Sequence, residues 1–286
     1  MALPRRFVKM SGGGNDFLVF EADGRALSEG DRRQVALLCR RGVSVGADGA
    51  LFLSGGQQGR IHLDYFNADG GVAAFCANGT RCAARYAVTR RLVSGREPVL
   101  ETGWAPIAAR VDDMLVSLAL PPLPKPGDPV PLQTLDSPGP FSARASAAGI
   151  PMHVGVPHLV ILLENGEDLD ALDLARLGPP LRRHPAMPDG ANVNFVRVAG
   201  PNRIAVRTFE RGVEGETLAC GSGVVASAVV AAREGRVTPP VVCETRSGAA
   251  FTVQFGEIGN VISDAVLTGD AREIFTAETT EEAWQA

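Results

Sequence analysis

Cys76-Ala77-Asn78-Gly79-Thr80 and Cys220-Gly221-Ser222-Gly223-Val224 are two versions of one device. Each opens on a cysteine, passes through small backbone-permissive residues and enters an Ala- and Val-rich stretch, predicted helical over Thr80 to Leu92 and Ser222 to Arg233. The thiols stand 144 positions apart in a chain of 286 residues, one in each half. Backbone N–H groups at a helix start form an anion site, assisted by the helix dipole. Glycine and asparagine let the backbone turn close to a ligand, and a thiol at such a start has its thiolate stabilised. The duplicated device therefore predicts two thiols facing one substrate from opposite sides. One acts as thiolate base and the other as thiol acid, with a carboxylate held between two helix starts as charge develops on it.

The composition fits this reading. Hydrophobic residues make up 45% and charged residues 21%, with a formal net charge of −4 and no Lys/Arg-rich block. That is a globular composition with a real core and no basic face for nucleic acid. No apolar run approaches a membrane span, and Met1-Ala2-Leu3-Pro4-Arg5-Arg6 has no long apolar stretch behind it, so a cytoplasmic protein is expected. The cysteines Cys39, Cys76, Cys82, Cys220 and Cys243 are odd in number and contain no Cys-x-x-Cys; His62, His153, His158 and His184 have no metal-ligand spacing. No metal is expected. The only lysines are Lys9, ending a predicted first strand, and Lys125, in a proline-rich stretch. Neither suits a Schiff base, which argues against a pyridoxal-phosphate enzyme.

Eight prolines between 121 and 140 mark the expected boundary between halves. Strands are predicted at Phe17 to Phe20, Ile61 to Phe66 and Met114 to Leu120 in the first half. In the second they fall at Val154 to Leu163, Val193 to Val198, Ile204 to Phe209 and Phe251 to Phe255. A further helix is predicted over Asp31 to Arg40, with Asp31 as its N-cap. A buried helix wrapped by strands in each half gives an α+β architecture of two similar lobes, one over 1–120 and one over 121–265, with the tail from about 266 to 286 assigned back to the first.

The ordered set of motifs resembles the diaminopimelate epimerase family. Lys9-Met10-Ser11-Gly12-Gly13-Gly14-Asn15-Asp16-Phe17 looks like its opening motif. Gly46-Ala47-Asp48-Gly49, Asn67-Ala68-Asp69-Gly70, the Cys76 segment, Asn192-Val193-Asn194-Phe195, Glu210-Arg211-Gly212 and Gly215 to Gly223 follow in that family's order. The resemblance implies a cofactor-independent two-base epimerase of two pseudo-symmetric lobes with the active site in the cleft between them. It implies Cys76 and Cys220 as the acid/base pair, and backbone N–H groups of Ala77, Asn78, Gly221 and Ser222 on the reacting carboxylate. It also implies that Asn15, Asn67, Asn192, Glu210 and Arg211 hold the far amino-acid end of the substrate, and that His158, with Glu210, tunes the second thiol. A homodimer is a family-level expectation. The charges suit an amino acid at each end of the substrate: arginine binds carboxylate bidentately and glutamate pairs with ammonium.

Four positions depart from the pattern. Val156 stands before Pro157-His158 where the family usually has asparagine, Gly49 where many members have glutamine, and Ala77 where glycine is usual; one extra residue lies between Gly212 and Glu216. Two other readings therefore stand beside the first. One is a racemase of another amino acid, such as histidine or proline, on the same scaffold. The other is a non-catalytic amino-acid-binding protein or thiol redox sensor.

Overall fold

The computed structural model describes residues 3–55, 57–132, 148–164 and 167–285. The chain forms two compact units: one from the residues up to Leu120 together with those from Thr268 onward, the other from Pro121–Leu267. Pro138 and Pro140 of the proline-rich stretch lie outside the described residues. Its described part adds only the two-residue bridges Leu123–Pro124 and Val130–Pro131, as expected where proline removes ladder donors.

In the first unit, the strand Asn15–Glu21 pairs antiparallel with Arg6–Gly12 and parallel with Gly49–Gly55. Gly49–Gly55 pairs antiparallel with Arg60–Asn67, which in turn runs parallel to Val99–Glu101. Pro106–Asp112 and Leu115–Ala119 extend that edge, and Arg272–Glu278 closes the other by pairing with Arg6–Gly12. The helix α1, Glu29–Cys39, covers one face. The helix α2, Ala77–Thr89, lies against the other and touches strands across the sheet. Leu18 and Phe20 join the core beneath α1, while Phe17 approaches α2. Both faces are covered, so Phe17-Leu18-Val19-Phe20 reads as a continuous apolar run rather than an alternation.

The second unit repeats this order. Val156–Leu162 pairs antiparallel with Ala148–Val154 and parallel with Asn192–Gly200. Arg203–Glu210 pairs antiparallel with Asn192–Gly200 and parallel with Val241–Thr245, to which Ala250–Ile258 adds. The helix α3, Leu174–Arg182, takes the place of α1, and α4, Gly221–Arg233, that of α2. The parallel registers Phe17↔Gly49 and His158↔Asn192 superpose the two ladders. Leu51↔Tyr65 then corresponds to Asn194↔Thr208, and Asn15, the first residue of its strand, to Val156, the first of its own.

Several boundaries differ from the sequence reading, and the following have a local cause. The N-cap of α1 is Ser28, not Asp31. Asp31 is the third helical residue and completes a reciprocal capping box, with Ser28 Oγ accepting its N–H at 3.2 Å and Asp31 Oδ2 accepting the Ser28 N–H at 2.9 Å. Serine outranked aspartate once a carboxylate stood three residues beyond it. The predicted strand Val154 to Leu163 is broken at Gly155, whose φ of 70° turns the chain between two antiparallel strands. Both thiol-linked helices begin directly after their cysteine, because Ala77 and Gly221 already hold helical positions.

α3 fits the sheet only because Gly178 has no side chain: a Cβ there would lie 2.2 Å from the Phe209 ring. Gly178→Ala is expected to destabilise the protein by about 1–3 kcal/mol through overpacking, read as a lowered denaturant midpoint.

Candidate functional site

Each unit presents a thiol at the N-cap of its central helix. In the first, Cys76 has extended backbone geometry, and its Sγ accepts the Gly79 N–H at 3.4 Å. The Thr80 N–H and hydroxyl both donate to the Cys76 carbonyl, at 2.8 Å and 2.9 Å. Gly79 packs closely on the sheet: a Cβ there would lie 3.0 Å from Leu51 Cδ2 and 3.5 Å from the Phe17 ring. The floor below this helix start is therefore apolar. Facing it is the hairpin Gly12-Gly13-Gly14-Asn15, whose central glycines have φ of 63° and 101°, the conformation a two-residue hairpin turn demands. The turn delivers Asn15 to α2, where its Oδ1 accepts from Asn78 Nδ2 at 2.6 Å and its Nδ2 donates to Asp48 Oδ2 at 3.0 Å.

Asp48 and its neighbours anchor this arrangement. Asp16 and Asp48 each accept the other's backbone N–H at 3.1 Å, and Arg41 bridges both carboxylates. Burial pushes the Asp16 carboxyl up, but Arg41 and Lys9 draw it down further, to about 2. Lys9 is committed to this cluster, 2.7 Å from Asp16 and hydrogen-bonded to the Gly46 carbonyl. Asn67 ends its strand at the turn where the Gly70 N–H donates to its carbonyl. Gly49 has no room for a larger residue: a Cβ would lie 2.5 Å from the Phe66 carbonyl and 2.7 Å from the Tyr65 ring. A glutamine at that position is incompatible with Tyr65 as it stands.

In the second unit, Cys220 caps α4 and is buried, with Ser222 Oγ at 3.5 Å from its Sγ and Asn192 Nδ2 at 4.0 Å. Asn192 also accepts the Arg211 N–H on its Oδ1 at 2.8 Å, fixing the start of the turn that carries Glu210 and Arg211. Arg211 Nη1 donates to the Asp189 carbonyl at 2.8 Å. The turn closes through the Glu214 N–H on the Glu210 carbonyl, and Arg182 and Arg183 hold the Glu214 carboxylate. Glu214, within the longer Gly212–Glu216 connection, has a φ of 56°, a left-handed conformation.

The floor beneath α4 is polar where that beneath α2 is apolar. A Cβ on Gly223 would lie 2.3 Å from Asn194 Oδ1. Asn194 Oδ1 accepts from the Thr208 hydroxyl at 3.0 Å, and its Nδ2 lies 3.2 Å from His158 Nδ1. His158, Asn194 and Thr208 thus replace Phe17, Leu51 and Tyr65 on the duplicated ladder. Burial holds His158 down to about 3, with His153 and Arg211 adding repulsion. It is a neutral ring at physiological pH, so any influence on a thiol runs through hydrogen bonding and not positive charge.

Among the sequence-predicted residues, the structure brings Asn15 to Asn78, and both Asn192 and Ser222 to Cys220. His158 reaches the α4 start through Asn194, which sequence reasoning had quoted without a role. The signal was its spacing: Asn192 and Asn194 are two apart on a strand and share a face. Asp48 and Arg81 were also missed; Arg81 is one of two cations, with Arg85, in a helix otherwise without charged side chains. The remaining thiols are inert by environment. Burial pushes Cys39 and Cys82 up to about 12 and Cys243 higher still. Among the described residues, no group of three metal-ligating side chains gathers, and no helix is long and apolar enough to cross a membrane.

The fold is that of the proline racemase and PhzF proteins. A probable proline racemase from Agrobacterium radiobacter K84, solved with bound carbonate, superposes with a TM-score of 0.69 over 96% of this chain and 93% of that one, at 15% identity. A PhzF-family phenazine biosynthesis protein from Bacillus anthracis gives 0.69 over 96% and 98%, at 14% identity. The sequence is more specific. The diaminopimelate epimerase family model matches residues 7–107 and 151–272. Diaminopimelate epimerase of Aquifex aeolicus is 35% identical over 96% of this chain and 98% of its own length, and that of Gemmatimonas aurantiaca 41% identical over 78% of each. This chain belongs to the diaminopimelate epimerase family.

The buried neutral His158 makes a directional claim about acid stability. Between its ordinary value of 6.5 and about 3, the unfolded chain binds a proton there that the folded chain does not. Stability is therefore intact above that window and falls as pH drops through it. His158→Gln is expected to flatten the pH dependence of unfolding free energy in this range by up to about 1.4 kcal/mol per pH unit, measured by denaturant titration at successive pH values. An unchanged slope would count against the neutral assignment.

Proposed function

We propose that this protein interconverts LL- and meso-2,6-diaminopimelate by two-base chemistry in the cytoplasm, supplying the meso isomer to lysine and peptidoglycan-precursor biosynthesis. The observation that carries the reading is the duplicated thiol, one at the N-cap of each central helix, in a chain of this family. In one direction one sulfur, as thiolate, removes the α-proton. The other, as thiol, delivers a proton to the opposite face, so the two exchange protonation states in each turnover. The negative charge that develops is drawn onto the adjacent carboxylate. First-turn N–H groups at Ala77, Asn78, Gly221 and Ser222, which no intrahelical carbonyl can accept, stabilise it there.

Asn15, Asn67, Asn192, Glu210 and Arg211 are assigned to the distal amino-acid end, with arginine on the carboxylate and glutamate on the ammonium. His158 acts as a neutral, oriented partner beneath the Cys220 helix. Side chains and backbone supply all of this chemistry without a cofactor or metal.

Incubation of the reduced protein with LL-diaminopimelate in D₂O is expected to give meso product carrying deuterium at the α-carbon, followed by NMR and chiral chromatography. Cys76→Ala and Cys220→Ala should each lower turnover more than about 100-fold while leaving the circular dichroism spectrum intact. Substantial turnover in either would sink the acid/base assignment. Deuterium exchange into a different amino acid, with none into this substrate, would redirect the reading to a substrate suited to Val156.

A further inference from the structure

The side chain that the proposed chemistry leaves unexplained is Arg81. It is fully buried in α2, with 0% of its surface exposed. Its position is set by helix geometry: side chains lean toward the helix N-terminus, so a residue on the second turn covers the first. Nη1 donates to the Ala77 carbonyl at 3.4 Å, Nη2 to Asn78 Oδ1 at 2.7 Å, and Nε to the Asp270 carbonyl at 3.2 Å.

These bonds start a directional chain. Arg81 donates to Asn78, Asn78 Nδ2 to Asn15 Oδ1 at 2.6 Å, and Asn15 Nδ2 to Asp48 Oδ2 at 3.0 Å. A guanidinium only donates and a carboxylate only accepts, so the two amides between them take a single orientation. The Asp48 end is itself held by the Asp16 N–H at 3.1 Å and by Arg41 at 2.9 Å. Asn15 is assigned to substrate through its side chain and Asn78 through its backbone N–H, and the bond from Arg81 fixes the amide orientation of both side chains.

The same guanidinium places fixed charge beside the helix start. Burial depresses its own pKa, and the groups that favour its charged form are Cys82, Asp270 and Cys76. Cys82 is a neutral thiol, pushed up to about 12 by burial. The Asp270 carboxylate accepts the Gly13 N–H at 2.8 Å and pairs with Arg272 at 2.9 Å. Arg85, a turn further along α2, donates to the Asp113 carbonyl at 3.0 Å. Cys76 is the group among these whose charge the proposed reaction changes. At the matching position of α4, five residues after its cysteine, stands the buried Val225.

We infer that Arg81 is a positioning residue of the Cys76 half-site: it locks the amides of Asn78 and Asn15 in one orientation and favours the thiolate of Cys76, a bias that Val225 cannot give Cys220. The inference rests on the acid/base reading of Cys76, but its decisive test needs no turnover. The reduced full-length protein is alkylated with iodoacetamide across a pH series, and each cysteine is quantified by peptide mass spectrometry. Arg81→Met is expected to slow Cys76 alkylation at neutral pH by at least about fivefold and to move its pH midpoint upward, leaving Cys220 unchanged. Arg81→Lys keeps the charge but not the fork, so it should hold the Cys76 midpoint while raising KM. Asp48→Asn, at the other end of the chain, should raise KM without moving the midpoint.

A folded Arg81→Met protein with an unmoved Cys76 midpoint, or with Cys220 shifted equally, overturns the inference. Should Arg81→Met not fold, unchanged KM in both Arg81→Lys and Asp48→Asn overturns it instead. A Cys76 midpoint that responds to Arg81 in a protein with no epimerase activity would reject the functional reading and leave the role of Arg81 standing.

Discussion

The distance between each central helix and the sheet beneath it governs both thiols. At the third helical position both helices carry a glycine close over the sheet: a Cβ on Gly223 would lie 2.3 Å from Asn194 Oδ1, and one on Gly79 would press on Leu51 Cδ2 at 3.0 Å. Whatever lies on the sheet at that point is in van der Waals contact with the helix start. The sheet floor therefore forms the surroundings of each helix start, three residues from a cysteine. Gly12, just before the tight hairpin at Gly13 and Gly14, is packed as closely, a Cβ there meeting Cys82 Sγ at 3.0 Å.

On this duplicated frame the two units have diverged in electrostatics rather than topology. The first puts apolar side chains under its helix and a cation within it; the second puts a neutral histidine–asparagine–threonine group under its helix and valine within it. The proposed reaction, which passes a proton from one sulfur to a carbon and from that carbon to another sulfur, has no need of identical thiols. It needs their proton affinities to be balanced against the two isomers. Buried charge and neutral dipoles are different means to that balance: the first is long-ranged in a low dielectric, the second acts through specific geometry.

Much of the fold was legible because it repeats. Two cysteine–glycine devices followed by Ala/Val-rich helices disclosed a central helix in each half, and the strands between them read correctly where apolar runs were continuous. The misreadings have local causes. Gly155 turns the chain inside an apolar stretch, and one glycine among valines gives weak warning of a break. Asp31 looked like a cap because aspartate caps helices well, but the serine three residues earlier does so with its help. α3 was not seen because Pro179 and Pro180 lie within it, against every propensity. In the site, Arg81 and Asp48 were hidden for a different reason: their partners are other protein groups, and hydrogen bonds between residues distant in sequence leave no periodicity.

The first strand of the N-terminal unit, Arg6–Gly12, has Arg272–Glu278 as one neighbour, and the Thr279 N–H donates to the Arg5 carbonyl. This pairing dictates a schedule for synthesis. On the ribosome, the residues made first wait with one edge of their sheet unpaired until those near position 278 emerge. The unit spanning Pro121–Leu267 is contiguous and ends just ahead of that closing strand, Arg272–Glu278. The half that is translated second is thus the half that can fold first, and the unit carrying Cys76 is completed only by the closing strand.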